Sequence, residues 1–206
     1  PLRLVGSEMC IRDRLNILLN NAGRSWGAPL GVFPHDAWGK VLDLNVTGMF
    51  HLTQGLIEIL AASAQPEDPS RVINLGSVMG EIPMGDQAYS YSVSKAGVHH
   101  MTKILAKELG ARQITVNALA PGPFQSGMTK FAIGEDKGSA RVAARVPAGR
   151  LGRPEDIAGA IQFLCGAGGA YITGAILPLS GGINVATGPS IFGCLLYTSP
   201  SPRDVE

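Results

Sequence analysis

Short apolar runs alternate along the chain with longer stretches of helical period, and this alternation constrains the fold more than any other feature. Four runs have the length and composition of buried strands: residues 17–19, 71–75, 114–119 and 175–179. Helix-like segments fill most of the space between them, so each strand is followed by a crossover. The pattern predicts an α/β fold, in which helices cover both faces of a parallel sheet.

The segments between the strands predict three main helices. Residues 37–64 indicate one long helix or two in succession, ended by the prolines at 66 and 69. Residues 89–109 indicate a second long helix, with Gly110 as its C-cap. Residues 155–164 indicate a third. Between the second and third helices, residues 121–135 are expected to form a loop rich in Gly and Pro.

Composition limits the class of partner. The formal net charge is +1, aromatic residues make up 6%, and there is no run of basic residues. These values argue against nucleic acid or a membrane surface as partner and favour a small molecule. No apolar stretch approaches about 18 residues and the chain does not start like a signal peptide, so we expect a cytoplasmic protein. Cys165 is the only cysteine away from the ends, which argues against disulfides and a metal site.

Both ends of the chain are predicted to be non-native. Residues 4–13 can be encoded by a sequence whose complementary strand, in another frame, reads Leu-Leu-Tyr-Thr-Ser-Pro-Ser-Pro-Arg, which is also found at the other end. Such a match is typical of one adaptor oligonucleotide translated on its two strands. We therefore expect one domain at residues 15–193, flanked by adaptor-like segments at 1–14 and 194–206.

The most informative local pattern is Tyr91-Ser-Val-Ser-Lys95 on the second predicted helix. Residues four apart share a helix face, so the phenol and the ammonium can enter one site. An unperturbed Tyr has a pKa near 10, and a cation within about 4–6 Å favours its phenolate. The pair predicts a general acid and base, although the same spacing is also common on solvated helix faces.

Further motifs around this pair give the chain a resemblance to the short-chain dehydrogenase/reductase family, over residues 15 to about 185. The pattern is most similar to the 3-oxoacyl-carrier-protein reductase branch. The matching elements, in chain order, are Asn20-Asn-Ala-Gly23, Asn45, Ser77, Tyr91 with Lys95, Ala120-Pro-Gly-Pro-Phe-Gln-Ser126, Gly149-Arg-Leu-Gly-Arg-Pro-Glu-Asp156 and Ser180-Gly-Gly182. The last motif departs from the family, which commonly has Asp where this chain has Ser180.

The resemblance implies a partial Rossmann-type fold and a hydride-transfer reaction. Tyr91 would give a proton to the substrate carbonyl oxygen, and Ser77 would hydrogen-bond the same oxygen. Lys95 would lower the pKa of Tyr91 and bind the nicotinamide ribose, while Asn45 would hold a water. Without the other motifs, Ser77 would be interpreted as a turn cap and Asn45 as a residue whose local backbone bond bends a helix.

The resemblance also implies a nicotinamide cofactor, NADP or NAD, with NADP favoured. The substrate would be a carbonyl compound or a secondary alcohol, with a 3-oxoacyl thioester as candidate, and the parent protein a homotetramer or homodimer. The expected cofactor-binding residues are Asn20, Ala22, Gly23, Tyr91, Lys95, Pro121, Gly122, Phe124 and Ser126.

A dinucleotide-binding fold begins with a strand, a glycine-rich phosphate turn and a helix, and none of these precedes the strand at residues 17–19. The first βαβαβ half, roughly 60 or more residues, is therefore expected to be missing. Two alternatives to a working reductase stay open. One is a fragment that binds and turns over nothing, and the other is a nucleotide-sugar epimerase or dehydratase, which uses a similar Tyr/Lys pair.

Two regions carry secondary expectations. Residues 123–150 are expected to form a lid over the substrate, with Met128, Phe131 and Ile133 facing an apolar substrate. His99 and His100 are adjacent on the second helix and are expected to be packing or surface residues rather than metal ligands.

Overall fold

A computed structural model describes residues 14–84, 87–124 and 136–186. The predicted terminal segments lie outside the described residues, except Arg14, and the domain limits stay predictions. The strands span Ile17–Asn20 (β1), Ser70–Leu75 (β2), Ile114–Pro121 (β3) and Ile176–Leu179 (β4). They form one parallel sheet in the order β1-β2-β3-β4, so the predicted α/β class is confirmed.

Helices cover both faces of the sheet, as the strand pattern predicts. The helices span Asp36–Leu42 (α1), Met49–Ser63 (α2), Tyr89–Leu109 (α3), Asp136–Ala143 (α4) and Pro154–Cys165 (α5). One core lies under α2 and α3, where Leu60 and Leu105 pack against Val72 and Val116. The other core lies under α5, where Leu164 packs with Ile73 and Leu119.

Two helix details agree with the sequence-based expectation and add to it. The segment predicted as one or two helices is α1 and α2 joined without a break by a π-helical turn, Asp43–Gly48. Gly110 is the C-cap of α3, as predicted, but it has a right-handed conformation because the chain continues as a 3-10 turn through Arg112. The left-handed residue that ends this segment is Gln113, with φ of 57°.

The predicted site residues lie at one edge of the sheet because β1, β2 and β3 are parallel. Asn20, Leu75 and Pro121 are the last residues of these three strands. The segments that follow contain Ala22, Ser77 and the Pro-Gly loop, so all three leave the sheet on the same side. Ligands of open α/β sheets bind at this carboxyl edge. None of the helices in the described ranges is long and apolar enough to cross a membrane.

Candidate active site

A cavity of about 590 Å³ opens at the carboxyl edge of the sheet. This volume lies within the range typical of small-molecule sites. Eight of the residues predicted from sequence line it: Ala22, Gly23, Ser77, Tyr91, Lys95, Pro121, Gly122 and Phe124. The remaining lining residues are Asn21, Leu75, Gly76, Pro154 and Ile157, which the sequence interpretation did not single out.

Tyr91 and Lys95 lie on one face of α3 and both reach the cavity. The Lys95 Nζ is 5.6 Å from the centroid of the Tyr91 ring and donates a hydrogen bond of 2.6 Å to the Leu75 carbonyl. Burial lowers the pKa of Lys95 to about 8. The shift has a physical cause: moving an ammonium out of water disfavours its charged form.

The expected lowering of the Tyr91 pKa by Lys95 is wrong for this structure. Burial raises the pKa of Tyr91, and the opposing effect comes from its hydrogen bond with the Ser77 hydroxyl. Lys95 is not among the causes of this shift, and its ammonium donates to the Leu75 carbonyl. Tyr91 is therefore held in its protonated form, which is the form that can donate a proton.

Ser77 lines the cavity and also caps a helical turn. Its Oγ accepts a hydrogen bond of 3.2 Å from the Met79 N–H and so caps the 3-10 turn Val78–Gly80. Its own N–H donates to Nε2 of His99 at 3.3 Å. Because a hydroxyl has one donor and two acceptor sites, capping leaves Ser77 able to bond Tyr91 and a ligand oxygen. The cap interpretation and the site interpretation are thus compatible.

Asn45 lies behind the cavity and connects two of its segments. Its side chain is buried within the π-helical turn, accepts from the Arg24 N–H at 2.8 Å and donates to the Arg24 carbonyl at 2.9 Å. It also donates to the Ser94 Oγ at 2.9 Å. Asn45 therefore ties the chain after Gly23 to α3, and its predicted water-holding role stays a prediction.

Across the cavity from Tyr91, the wall is shaped by backbone contacts. Gly122 donates its N–H to the Leu179 carbonyl, and a Cβ at Gly122 would lie 2.9 Å from the Cα of Ser180. The Ser180 hydroxyl donates to Asn184, so the residue that departs from the family pattern is engaged locally. Phe124 lies with its ring against Gly152. Only a residue without a side chain fits between β3 and the Ser180 backbone.

One predicted cofactor residue, Asn20, does not line this cavity. Asn20 is buried in the core, where its Nδ2 donates to the Thr53 Oγ1 and the Asn74 Oδ1. The next residue, Asn21, lines the cavity instead. The alternation of β1 could have shown this, because Leu18 and Asn20 share its buried face. Ser126 and the proposed lid residues Met128, Phe131 and Ile133 lie outside the described residues.

Comparison with known proteins identifies the family. The profile of a family described as enoyl-(acyl carrier protein) reductase matches residues 6–184. The chain belongs to the short-chain dehydrogenase/reductase family. The predicted family and fold class are thereby confirmed, and the expectation of an oxidoreductase is confirmed at the level of the family.

Similar proteins include a rhamnolipid-biosynthesis 3-oxoacyl-(acyl-carrier-protein) reductase of Pseudomonas aeruginosa, 47% identical over 84% of this chain and 67% of the relative. A 3-oxoacyl-(acyl-carrier-protein) reductase of Vibrio cholerae is 38% identical over 82% and 66%. Among solved structures, the RhlG/NADP active-site complex of Pseudomonas aeruginosa is 46% identical, with a TM-score of 0.81 over 86% of this chain and 70% of that chain. The chain thus spans about two thirds of the length of these relatives.

Proposed function

We propose that the protein is an NADP(H)-dependent carbonyl reductase that acts on 3-oxoacyl thioesters. The observation that carries this proposal is the convergence of Ser77, Tyr91 and Lys95 on one cavity with the Pro121–Gly122 turn. The names of similar proteins, two 3-oxoacyl-carrier-protein reductases and an NADP complex, support the substrate class and the cofactor.

The cavity fits the reactive half of such a cofactor. Among the described residues, the one hydrogen bond of the Lys95 ammonium goes to the Leu75 carbonyl. An ammonium has three donors, so two are left for ribose hydroxyls. Gly23 lies close to the same ammonium, because a Cβ placed there would be 3.7 Å from Lys95 Nζ. When bound, the reduced nicotinamide supplies the hydride that goes to the carbonyl carbon.

The residues of this chain supply the proton and hold the substrate oxygen. Tyr91 gives its phenolic proton to the carbonyl oxygen as the alcohol forms, and a positioned acid of this kind contributes roughly 10²–10⁴-fold in rate. Ser77 hydrogen-bonds the same oxygen and fixes the direction from which it approaches Tyr91. Lys95, whose pKa is lowered by burial to about 8, is a source of the proton that restores the phenol.

Two further expectations accompany the proposal. The native domain includes residues 15–193 together with an upstream nucleotide-binding half, and the segments at 1–14 and 194–206 are adaptor-derived. The enzyme is cytoplasmic and assembles as a homotetramer or homodimer.

The deciding experiment uses the enzyme expressed from its native gene, upstream sequence included. We expect oxidation of NADPH that depends on a 3-oxoacyl thioester, with the 3-hydroxyacyl thioester as product. The Tyr91→Phe variant keeps the ring but not the proton, so its turnover should fall at least about 100-fold while NADPH still binds. The matched control is Tyr89→Phe on the same helix, which should keep its turnover. A Tyr91→Phe enzyme with near wild-type turnover would contradict the proposal.

A further inference from the structure

His99 lies directly behind the catalytic serine, on the face of α3 that contacts the sheet. The side chain is buried, with 5% of its surface exposed. Its Nε2 accepts the hydrogen bond from the Ser77 N–H at 3.3 Å. Among the described residues, His99 does not itself line the cavity, but its ring contacts the backbone of Gly76 and Ser77, which do.

The residue before Ser77 shows how closely the ring approaches the backbone. A Cβ at Gly76 would lie 2.2 Å from Nε2 of His99 and 2.6 Å from its Cδ2. Any side chain at Gly76 would therefore displace the imidazole. The Gly76 N–H donates in turn to the Leu119 carbonyl of β3 at 2.8 Å. The chain leaving β2 is thus fixed from two sides, by β3 and by the imidazole.

The hydrogen bond defines the protonation state of the ring. Nε2 can accept only when it carries no proton, so a neutral His99 must have its proton on Nδ1. Nδ1 lies 3.6 Å from Oε1 of Glu81, and no atom of the described residues accepts a hydrogen bond from it. A second proton on the ring would place an N–H at Nε2, facing the Ser77 N–H. Two donors would then face each other, and the hydrogen bond that fixes the Ser77 backbone would be lost.

We propose that His99 is a positioning residue: its neutral imidazole holds the Ser77 backbone, and thereby the Ser77 hydroxyl, in the geometry that proton donation by Tyr91 requires. This inference rests on the proposed reductase function. Activity then depends on the protonation state of His99, because the hydrogen bond from the Ser77 N–H exists only while Nε2 is unprotonated.

The charges around His99 favour the neutral ring. Burial lowers the pKa of His99 below its ordinary value of 6.5. The Glu81 carboxylate opposes this, while the Lys95 and Lys103 cations on the same helix act in the direction of burial. The hold on Ser77 is therefore present at neutral pH and is lost as the pH falls below the ordinary range for histidine.

The test compares two variants of the full-length enzyme in the NADPH and 3-oxoacyl thioester assay. His99→Gln keeps an acceptor oxygen near the position of Nε2 but cannot take up a proton. Its kcat at pH 7.5 should stay within about threefold of wild type. The decrease in rate at acid pH that protonation of His99 causes in the wild type should be absent. His99→Leu removes the acceptor, so kcat should fall roughly 10- to 100-fold with an unchanged KM for NADPH. His100, exposed on the next position of α3, provides the control variants His100→Gln and His100→Leu, which should match wild type.

A His99→Leu enzyme within twofold of wild type in kcat, or a His99→Gln enzyme with the wild-type acid limb, overturns the inference. Nitrogen NMR of the His99 ring at pH 7.5 gives a second readout that needs no activity. The expected species is the neutral ring with its proton on Nδ1, and a proton on Nε2 overturns the inference even if His99→Leu fails to fold. A wild-type enzyme that reduces no 3-oxoacyl thioester refutes the proposed function, and the NMR result then still decides whether His99 holds Ser77.

Discussion

The two walls of the cavity are built in different ways. On the catalytic wall, formed by Ser77, Tyr91 and Lys95, polar side chains are held by hydrogen bonds to groups behind them, such as the Leu75 carbonyl. On the opposite wall, formed by Pro121, Gly122 and Phe124, the shape comes from close backbone contacts and an apolar ring.

This difference between the walls predicts different effects of mutation on turnover and on stability. A substitution on the catalytic wall removes one polar group with its hydrogen bonds, and its main cost is expected in turnover. A substitution on the opposite wall inserts atoms where two strand ends already touch, so it affects folding as well as binding. The same cavity should therefore respond to mutation in two distinguishable ways, by losing turnover or by losing stability.

The largest effect is expected on the catalytic wall, for Ser77→Ala. The variant loses the hydroxyl that bonds the substrate oxygen and Tyr91, and removal of one such donor costs roughly 10²–10³-fold in kcat. It also loses the cap on Met79, which costs about 0.5–2 kcal/mol of stability. Steady-state kinetics and urea unfolding of the same sample measure both. Ser92→Ala, on α3 but outside the cavity, is the control; equal kinetics in the two variants would remove Ser77 from the site.

An intermediate effect is expected on the opposite wall, for Gly122→Ala. The added methyl would lie 2.9 Å from the Cα of Ser180, so β3 and the chain after β4 must separate. Overpacking of this kind costs typically about 1–3 kcal/mol, which should be seen as a lower free energy of unfolding in urea. Unchanged stability would show that this wall is not fixed by backbone contact.

Gly23→Ala provides the matched control. A Cβ at Gly23 would lie 3.4 Å from the Asn45 Oδ1, an ordinary contact, so the free energy of unfolding should change by less than about 0.5 kcal/mol. The cost should fall on NADPH instead, with a dissociation constant raised by about tenfold, because the methyl enters the cavity lined by Gly23. A loss of stability equal to that of Gly122→Ala would contradict the proposed difference between the two positions.

The smallest effect concerns Lys95 and pH. Its pKa is lowered by burial to about 8 from an ordinary 10.5, so between these values the unfolded chain binds more protons than the folded one. Stability contributed through this group therefore rises as the pH increases across that window, by at most about 1.4 kcal/mol per pH unit. Urea unfolding at pH 8.5 and 9.5 should show this rise in wild type and lose it in Lys95→Met. Lys103→Met, exposed on the same helix, should keep the rise; if both variants keep it, Lys95 is not the source.

Much of the fold could be predicted because the spacing of apolar residues within each short segment indicates whether that segment is a helix or a strand. The limits of α3 were predicted at Tyr89 and Leu109, and β2 differs only by the addition of Ser70. The left-handed position at Gln113 could not be predicted, since Gly110 is the residue that normally supplies it.

Site residues that act through a side chain in a sequence motif were predicted. Residues that act through their backbone, or through how two elements pack together, were missed. Tyr91 and Lys95 follow from their spacing. Leu75 does not, because it acts through its carbonyl, which any residue has. His99 was expected to be a packing residue, and its contact with Ser77 depends on how β2 and α3 are placed together, which local sequence does not report.

The π-helical turn at Asp43–Gly48 makes the segment from α1 to α2 unusually sensitive to changes in length. An ordinary helix advances about 100° per residue, and a π-turn accommodates one residue more than the regular phase allows. Val41 before the turn and Thr53 after it are both fully buried, so the two phases are each matched to the core. Deleting a single residue within the turn would restore one continuous phase, and either α1 or α2 would then turn its buried stripe toward solvent.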